Sequence, residues 1–243
     1  MEKSKNQIDS QIKEDLAYAY RIISHLKLDD HTYTHLSARS NDKEFFYVFP
    51  FGMLFNEVTP DTLIKASLDG KIIEGSEYQY NQTGYVIHGS IYKERKDINS
   101  IFHLHTPEIV AVASIKQGLM PINQWALHFY NRVSYHNYNS LALDSVYGNS
   151  LAKDLEDNMV MLMRNHGAVL CGKTIQEAMF YTYHLQQACK SQCMTLSMNS
   201  NYVTPDHETC EKSVQELLFF EKNLGYRDWL AWKRLVRLDE KGL

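Results

Sequence analysis

"SIFHLHTPEIVAVAS", residues 100–114, decides how this chain is read. Apolar residues lead into His103 and His105, and Thr106-Pro107 then opens a second apolar segment. In a strand, residues i and i+2 project to the same face. A strand over "NSIFHLH" therefore sets two imidazoles side by side at the point where it ends. Proline suits the first helical position, where its missing N–H has no intrahelical partner, so a helix is predicted from Pro107. A strand passing directly into a helix is an α/β signature, and pockets gather at strand ends in such folds.

A catalytic zinc takes about three protein ligands and keeps a position open. The third imidazole has to come from elsewhere. His166 in "MVMLMRNHGAVLCG" (159–172) is the best candidate, because it also sits at a strand-to-turn bend, where Gly167 permits the turn. Paired histidines two apart also occur on ordinary half-buried strands, so spacing alone leaves metal binding and packing both open. His88, on a predicted helix at 84–94, His128 and His136 in an aromatic segment, and His184 on a long helix are assigned to packing or surface. His184, Cys189 and Cys193 do not form a ligand set, since on one helix the cysteines share a face that His184 does not.

The surrounding chain alternates strand and helix. Ile8, Ile12, Leu16, Tyr20, Ile23 and Leu26 repeat at helical spacing over 7–27, with Ser4 or Asp9 available near its start. "EFFYVFP" (44–50) reads as a strand ending in a turn at Pro50-Phe51-Gly52. "LIKASLDGKIIEG" (63–75) reads as a hairpin about Asp69-Gly70. Thr83 is a candidate cap for the helix at 84–94. Further helices are predicted over 145–158, over 174–198 from a Thr174/Glu177 capping box, and over 208–238. No repeat, linker or low-complexity stretch divides the chain. The alternation places the chain in the α/β or α+β class, in one domain.

Composition narrows the function. A net charge of -4 argues against a nucleic-acid binder held by counterion release. No apolar run approaches the roughly 18 residues a membrane span needs. The N-terminal stretch has no apolar signal core, and the four cysteines contain no CxxC pair, so a cytoplasmic protein with reduced thiols is predicted.

The stretches "THLSARS" (34–40), "FPFGMLFNEVTPDTLIKASLDGK" (49–71), "NQTGYVIHGSIYKERKDINSIFHLHT" (81–106) and "MRNHGAVLCGKTIQEAMFYTYHLQQACKSQ" (163–192) together resemble the class II aldolase/adducin family. That family includes fuculose-phosphate aldolases, ribulose-phosphate 4-epimerases and the head domain of adducin. The resemblance implies an α/β fold, a single αβα domain over residues 8–200 with a central, mostly antiparallel sheet between helices, followed by a C-terminal helical tail over 201–243 that packs on the domain or on a neighbouring subunit, and a homotetramer with sites between subunits. It also implies a divalent metal, zinc foremost, on His103, His105 and His166. The chain departs from the sugar-phosphate aldolases in three places. Their acid before the first HxH histidine falls on Gly84, their asparagine on His35, and their threonine before the phosphate-loop glycine on Phe51.

Of the anion cradle, Thr83 and Gly52 remain as substrate-binding candidates, joined by Gln124, near where the aldolases' catalytic tyrosine would fall (Gln124 or Trp125). With Gly84 unable to move a proton, the candidates for that role are His35, Glu108, His128 or a tyrosine from the tail of a neighbouring subunit; Glu108 also has an ordinary reason to begin a helix, the helix dipole. The expected function is a metal-dependent lyase or epimerase acting on a small hydroxy-carbonyl compound through a metal-stabilised enediolate. The alternative is a non-catalytic, adducin-like interaction protein of the cytoskeletal, actin-binding type.

Overall fold

A computed structural model describes residues 5–79, 81–220 and 223–236. Its centre is one eight-stranded sheet. In chain order the strands are β1 (His35–Arg39), β2 (Phe45–Val48), β3 (Ile64–Ser67), β4 (Ile72–Glu74), β5 (Ser100–Leu104), β6 (Val133–His136), β7 (Val160–Met163) and β8 (Gly167–Gly172). Their spatial order is β4-β3-β2-β1-β5-β8-β7-β6, with every neighbouring pair antiparallel except β6 and β7. The β3–β4 hairpin turns at Asp69-Gly70, where Gly70 takes a positive φ.

The helices are α1 (Lys5–His25), α2 (Gln82–Glu94), α3 (Pro107–Ser114), α4 (Gln124–Leu127), α5 (Ser145–Leu155), α6 (Ile175–Ser197), α7 (His207–Phe220) and α8 (Tyr226–Val236). Pairs α2–α5, α3–α6 and α1–α6 pack together, α2 with α5 on one face of the sheet and the others on the opposite face. β5 is central and buried along its whole length, as are β1, β7 and β8. Tyr20 of α1 stitches the layers together. Its hydroxyl accepts from the N–H groups of Leu36 (3.0 Å) and Phe49 (3.2 Å) and donates to the Leu36 carbonyl.

Helix starts follow local chemistry, with one correction. The cap of α2 is Asn81, whose side chain accepts from the Thr83 N–H at 3.0 Å; Thr83 itself donates its hydroxyl to Asn81 Oδ1 at 2.7 Å. Thr174 caps α6 as predicted, accepting from Glu177 N–H, while the Glu177 carboxylate reaches the N–H of Lys173. Ser4 lies outside the described residues. The predicted tail helix is two helices. α8 lies on α1 and α6 through the Lys233–Asp15 pair (2.9 Å) and the Trp232–Tyr183 rings. α7 meets the segment after α4 through Asn131 and Glu211.

Candidate metal centre

Two chain segments bring three imidazoles together at one end of the sheet. β5 delivers His103 and, one residue past its end, His105. The turn between β7 and β8 delivers His166. That turn uses Asn165 as its left-handed residue (φ 59°), so Gly167 is not there for its conformational freedom. Gly167 is there for space. A Cβ on it would collide with the Leu104 carbonyl oxygen and lie 2.9 Å from the His105 ring. The glycine lets the turn close onto the end of β5 and brings His166 against the other two imidazoles.

One nitrogen of each ring lies within 4.8 Å of the other two. The outer nitrogens define the tautomers. His103 Nδ1 meets the Ala168 carbonyl at 3.0 Å, and a carbonyl only accepts, so Nδ1 carries the proton. His105 Nδ1 lies 3.3 Å from the Asp30 carboxylate and donates in the same way. Both Nε2 atoms then present lone pairs, yet they face each other at 2.8 Å. Two lone pairs at that separation repel unless a cation is shared between them. In the third ring, His166 Nδ1 is buried with no hydrogen-bond partner among the described residues. Burial holds His103 well below the ordinary imidazole range and, with His105 and His136 nearby, lowers His166 to about 4. Burial lowers His105 too, against the opposing pull of Asp30. Neutral imidazoles whose outer N–H is anchored by a carbonyl or carboxylate are the usual form of metal ligands. The donor set fits a divalent ion such as zinc.

A fourth imidazole borders the triad. His35 opens β1 opposite His103 in the antiparallel register, and their ring centroids are 4.9 Å apart. Its Nδ1 meets His88 Nε2 at 2.8 Å. Gly84 faces the same ring: a Cβ there would lie 3.2 Å from His35 Cδ2. His35 thus fills the space into which a side chain at 84 would project.

The other candidates are placed elsewhere. Glu108 begins α3 and accepts from Gln186 of α6 at 2.9 Å. His128 and Gln124 line a separate cavity with Trp125, Phe180 and His184. Thr83 sits in the first turn of α2, and Gly52 (φ 94°) forms the turn after β2. Sequence reasoning misses three contributors. Asp30 has no motif around it. His88 is buried, as its assignment to packing expects, but as a link in a polar chain. β1 is not visible as a strand because "HLSAR" carries His, Ser and Arg on a buried face.

Comparison with known proteins decides the family. Residues 14–193 match the model of the Class II Aldolase and Adducin N-terminal domain. This chain belongs to the class II aldolase and adducin family. An aldolase II superfamily protein from Pseudomonas syringae is 36% identical, with a TM-score of 0.89 over 94% of this chain and 93% of that one. An L-fuculose 1-phosphate aldolase from Glaciozyma antarctica has a TM-score of 0.86 at 24% identity, over 97% and 92% of the two chains. Alpha-adducin of Rattus norvegicus is 36% identical over 186 residues, which span 75% of this chain and 25% of that protein. Family membership and the α/β fold with a mixed sheet between helices agree with the expectation from sequence.

Proposed function

We propose that this protein is a metal-dependent lyase or epimerase acting on a small hydroxy-carbonyl compound, with His103, His105 and His166 holding one divalent metal, zinc foremost. The observation that carries the reading is the pair of facing Nε2 lone pairs at 2.8 Å, with tautomers set by Ala168 and Asp30. A divalent metal there supplies Lewis-acid polarisation of a carbonyl or hydroxyl. The chain supplies the rest. The triad end of the sheet positions the substrate, His35 borders it, and the first turn of α2 flanks it at Gly84.

An unphosphorylated substrate is favoured. The Thr83 hydroxyl already donates to Asn81 at 2.7 Å, so it offers only lone pairs to an anion. Phe51 has no hydroxyl and lies near the Tyr33 ring. Phenylalanines 219 and 220 are 85% and 80% exposed on α7, which supports a homo-oligomer, on family grounds a tetramer, with the 201–243 tail at the contacts. The four free cysteines fit a cytoplasmic protein, and no helix among the described residues is long and apolar enough to cross a membrane.

The alternative of a non-catalytic adducin-like module draws on Gly84 and on the alpha-adducin likeness. Elemental analysis of purified protein separates the two. The enzyme reading expects about one divalent metal per chain, lost in His105→Ala, and activity on unphosphorylated hydroxy-aldehydes or hydroxy-ketones; metal-free wild type that takes up no zinc refutes it.

A further inference from the structure

A polar chain runs away from the triad through the buried layer between the sheet and α2. His35 Nδ1 meets His88 Nε2 at 2.8 Å. His88 Nδ1 meets Ser37 Oγ at 2.5 Å, and Ser37 Oγ meets Tyr92 Oη at 2.8 Å. All four residues are at most 1% exposed. β1 puts His35 and Ser37 on one face by strand alternation, and α2 puts His88 and Tyr92 on one face, four residues apart.

The far end of this chain sets its direction. Among the described residues the Tyr92 hydroxyl has one polar partner, Ser37. Against its ring lie the Arg39 guanidinium, 4.7 Å from the centroid, which accepts nothing, and the apolar Phe46 ring at 5.7 Å. A buried donor without an acceptor carries the full cost of its desolvation. Tyr92 therefore donates to Ser37, and Ser37 donates to His88 Nδ1. His88 is left with its proton on Nε2, which it gives to His35 Nδ1. His35 in turn must carry its own proton on Nε2, on the side of the ring away from His88. Had the chain run the other way, the Tyr92 proton would face no acceptor.

We propose that His35 presents its Nε2–H as a hydrogen-bond donor to an anionic oxygen of the substrate held at the triad, and that His88, Ser37 and Tyr92 are the positioning residues that fix this tautomer. The proposal deepens the metal-dependent reading and rests on it for the substrate. A preset donor aimed at developing charge lowers a barrier without moving a proton of its own. It also gives a role to the ring that fills the space beside Gly84.

The tautomers are testable without metal, substrate or turnover. Nitrogen-15 spectra of histidine-labelled, metal-free protein should show His35 and His88 each protonated at Nε2 and bare at Nδ1. A proton on His35 Nδ1 overturns the proposal. Ser37→Ala removes the hydroxyl that donates to His88 and should leave both rings without a single defined tautomer; an unaltered His35 signature overturns the positioning role. The donor itself is read with acetohydroxamate, a chelating oxygen anion, added to zinc-loaded protein. His35→Phe keeps the ring shape and should bind it about tenfold or more weakly, as loss of a hydrogen bond to a charged group predicts, with zinc content unchanged. Equal affinity, or zinc lost along with His35, overturns the proposal. Wild-type protein that takes up no zinc overturns the metal reading, while the metal-free spectra still decide the tautomers separately.

Discussion

Among the described residues histidines meet in two clusters, and these are built in opposite ways. At the triad, His103 and His105 anchor their outer nitrogens on groups from other segments, Ala168 and Asp30, and their inner nitrogens converge. On the far side of α6, His128 and His184 lie with rings 4.6 Å apart, but each Nδ1 rests on a carbonyl of its own helical segment, at Trp125 and Phe180. His184 also lies against the Phe180 ring at 3.8 Å. Helix geometry turns those two imidazoles into packing units. Strand ends and a tight turn aim the other three at one point. Proximity of histidines thus does not by itself mark a candidate metal centre; convergence of lone pairs does, and at the triad two of them are fixed by Ala168 and Asp30.

Metal content tests this contrast with the largest effect. His105→Ala should weaken zinc binding by at least about a hundredfold, more than the 10–100-fold typical of losing an outer-shell partner. His184→Ala should leave it unchanged. Competition with a chromogenic chelator measures both, and equal losses from the two variants would erase the distinction.

Much of this contrast is open to sequence reasoning. The HxH spacing and the distant NHG turn are local patterns, and the helical spacing of α1, Pro107 at the start of α3 and the Thr174/Glu177 capping box of α6 place them in the fold. Asp30 and the partners of His35 are not readable. They come from segments 53 and 75 residues distant from their partners, and hydrogen bonds of that separation leave no periodic trace. β1 and β6 escape for a related reason. "HLSAR" and "VSYH" are short, and their polar residues look solvent-facing until α2 and α5 supply partners, as Asp154 does for His136 at 2.7 Å. Gly167 reads as a turn residue in the sequence, whereas its reason is a carbonyl of another strand.

Acid should act next most strongly, and on the same half of the molecule. Burial lowers His88 from 6.5 to about 3 and pushes His35 and His103 the same way. The unfolded chain then takes up protons first. The stability contributed by these neutral rings is complete above pH 6.5, and it falls as pH drops from there towards 3. Each tenfold difference in proton affinity between the unfolded and folded chain is worth about 1.4 kcal/mol, so the metal-free protein should lose on the order of a few kcal/mol over that interval. Urea unfolding of metal-free protein between pH 7 and 4 measures the slope, which His88→Gln should flatten. A level wild-type profile would mean that these imidazoles are solvated.

Gly167→Ala sharpens the geometric part of the comparison. The new methyl meets the Leu104 oxygen well inside contact distance, so the turn must move off β5. Overpacking of this kind costs about 1–3 kcal/mol. Because the displaced element carries His166, zinc affinity should fall together with the melting temperature. In a surface glycine variant the two would separate. A Gly167→Ala protein with wild-type zinc affinity would show that His166 is held by something other than this contact.

The smallest effect concerns the first turn of α2, which sets Gly84 and His88 against His35. Asn81 caps that turn by accepting from Thr83 N–H, and Thr83 returns a hydroxyl donor to the same oxygen. Losing an N-cap costs about 1 kcal/mol, so Asn81→Ala should lower stability by roughly that amount. Thr83→Ala should cost less, because Asn81 keeps its backbone bond. Neither residue is a ligand, so zinc content should hold in both variants. The tautomer signature of His35 is the finer gauge. α2 reaches His35 through His88, two turns further along the helix and fully buried. If fraying stops within the first turn, Asn81→Ala leaves the His35 signal sharp while the denaturation midpoint falls. A broadened His35 signal would mean that the cap and the polar chain behave as one unit, extending the positioning machinery beside the triad to the solvent-facing start of the helix.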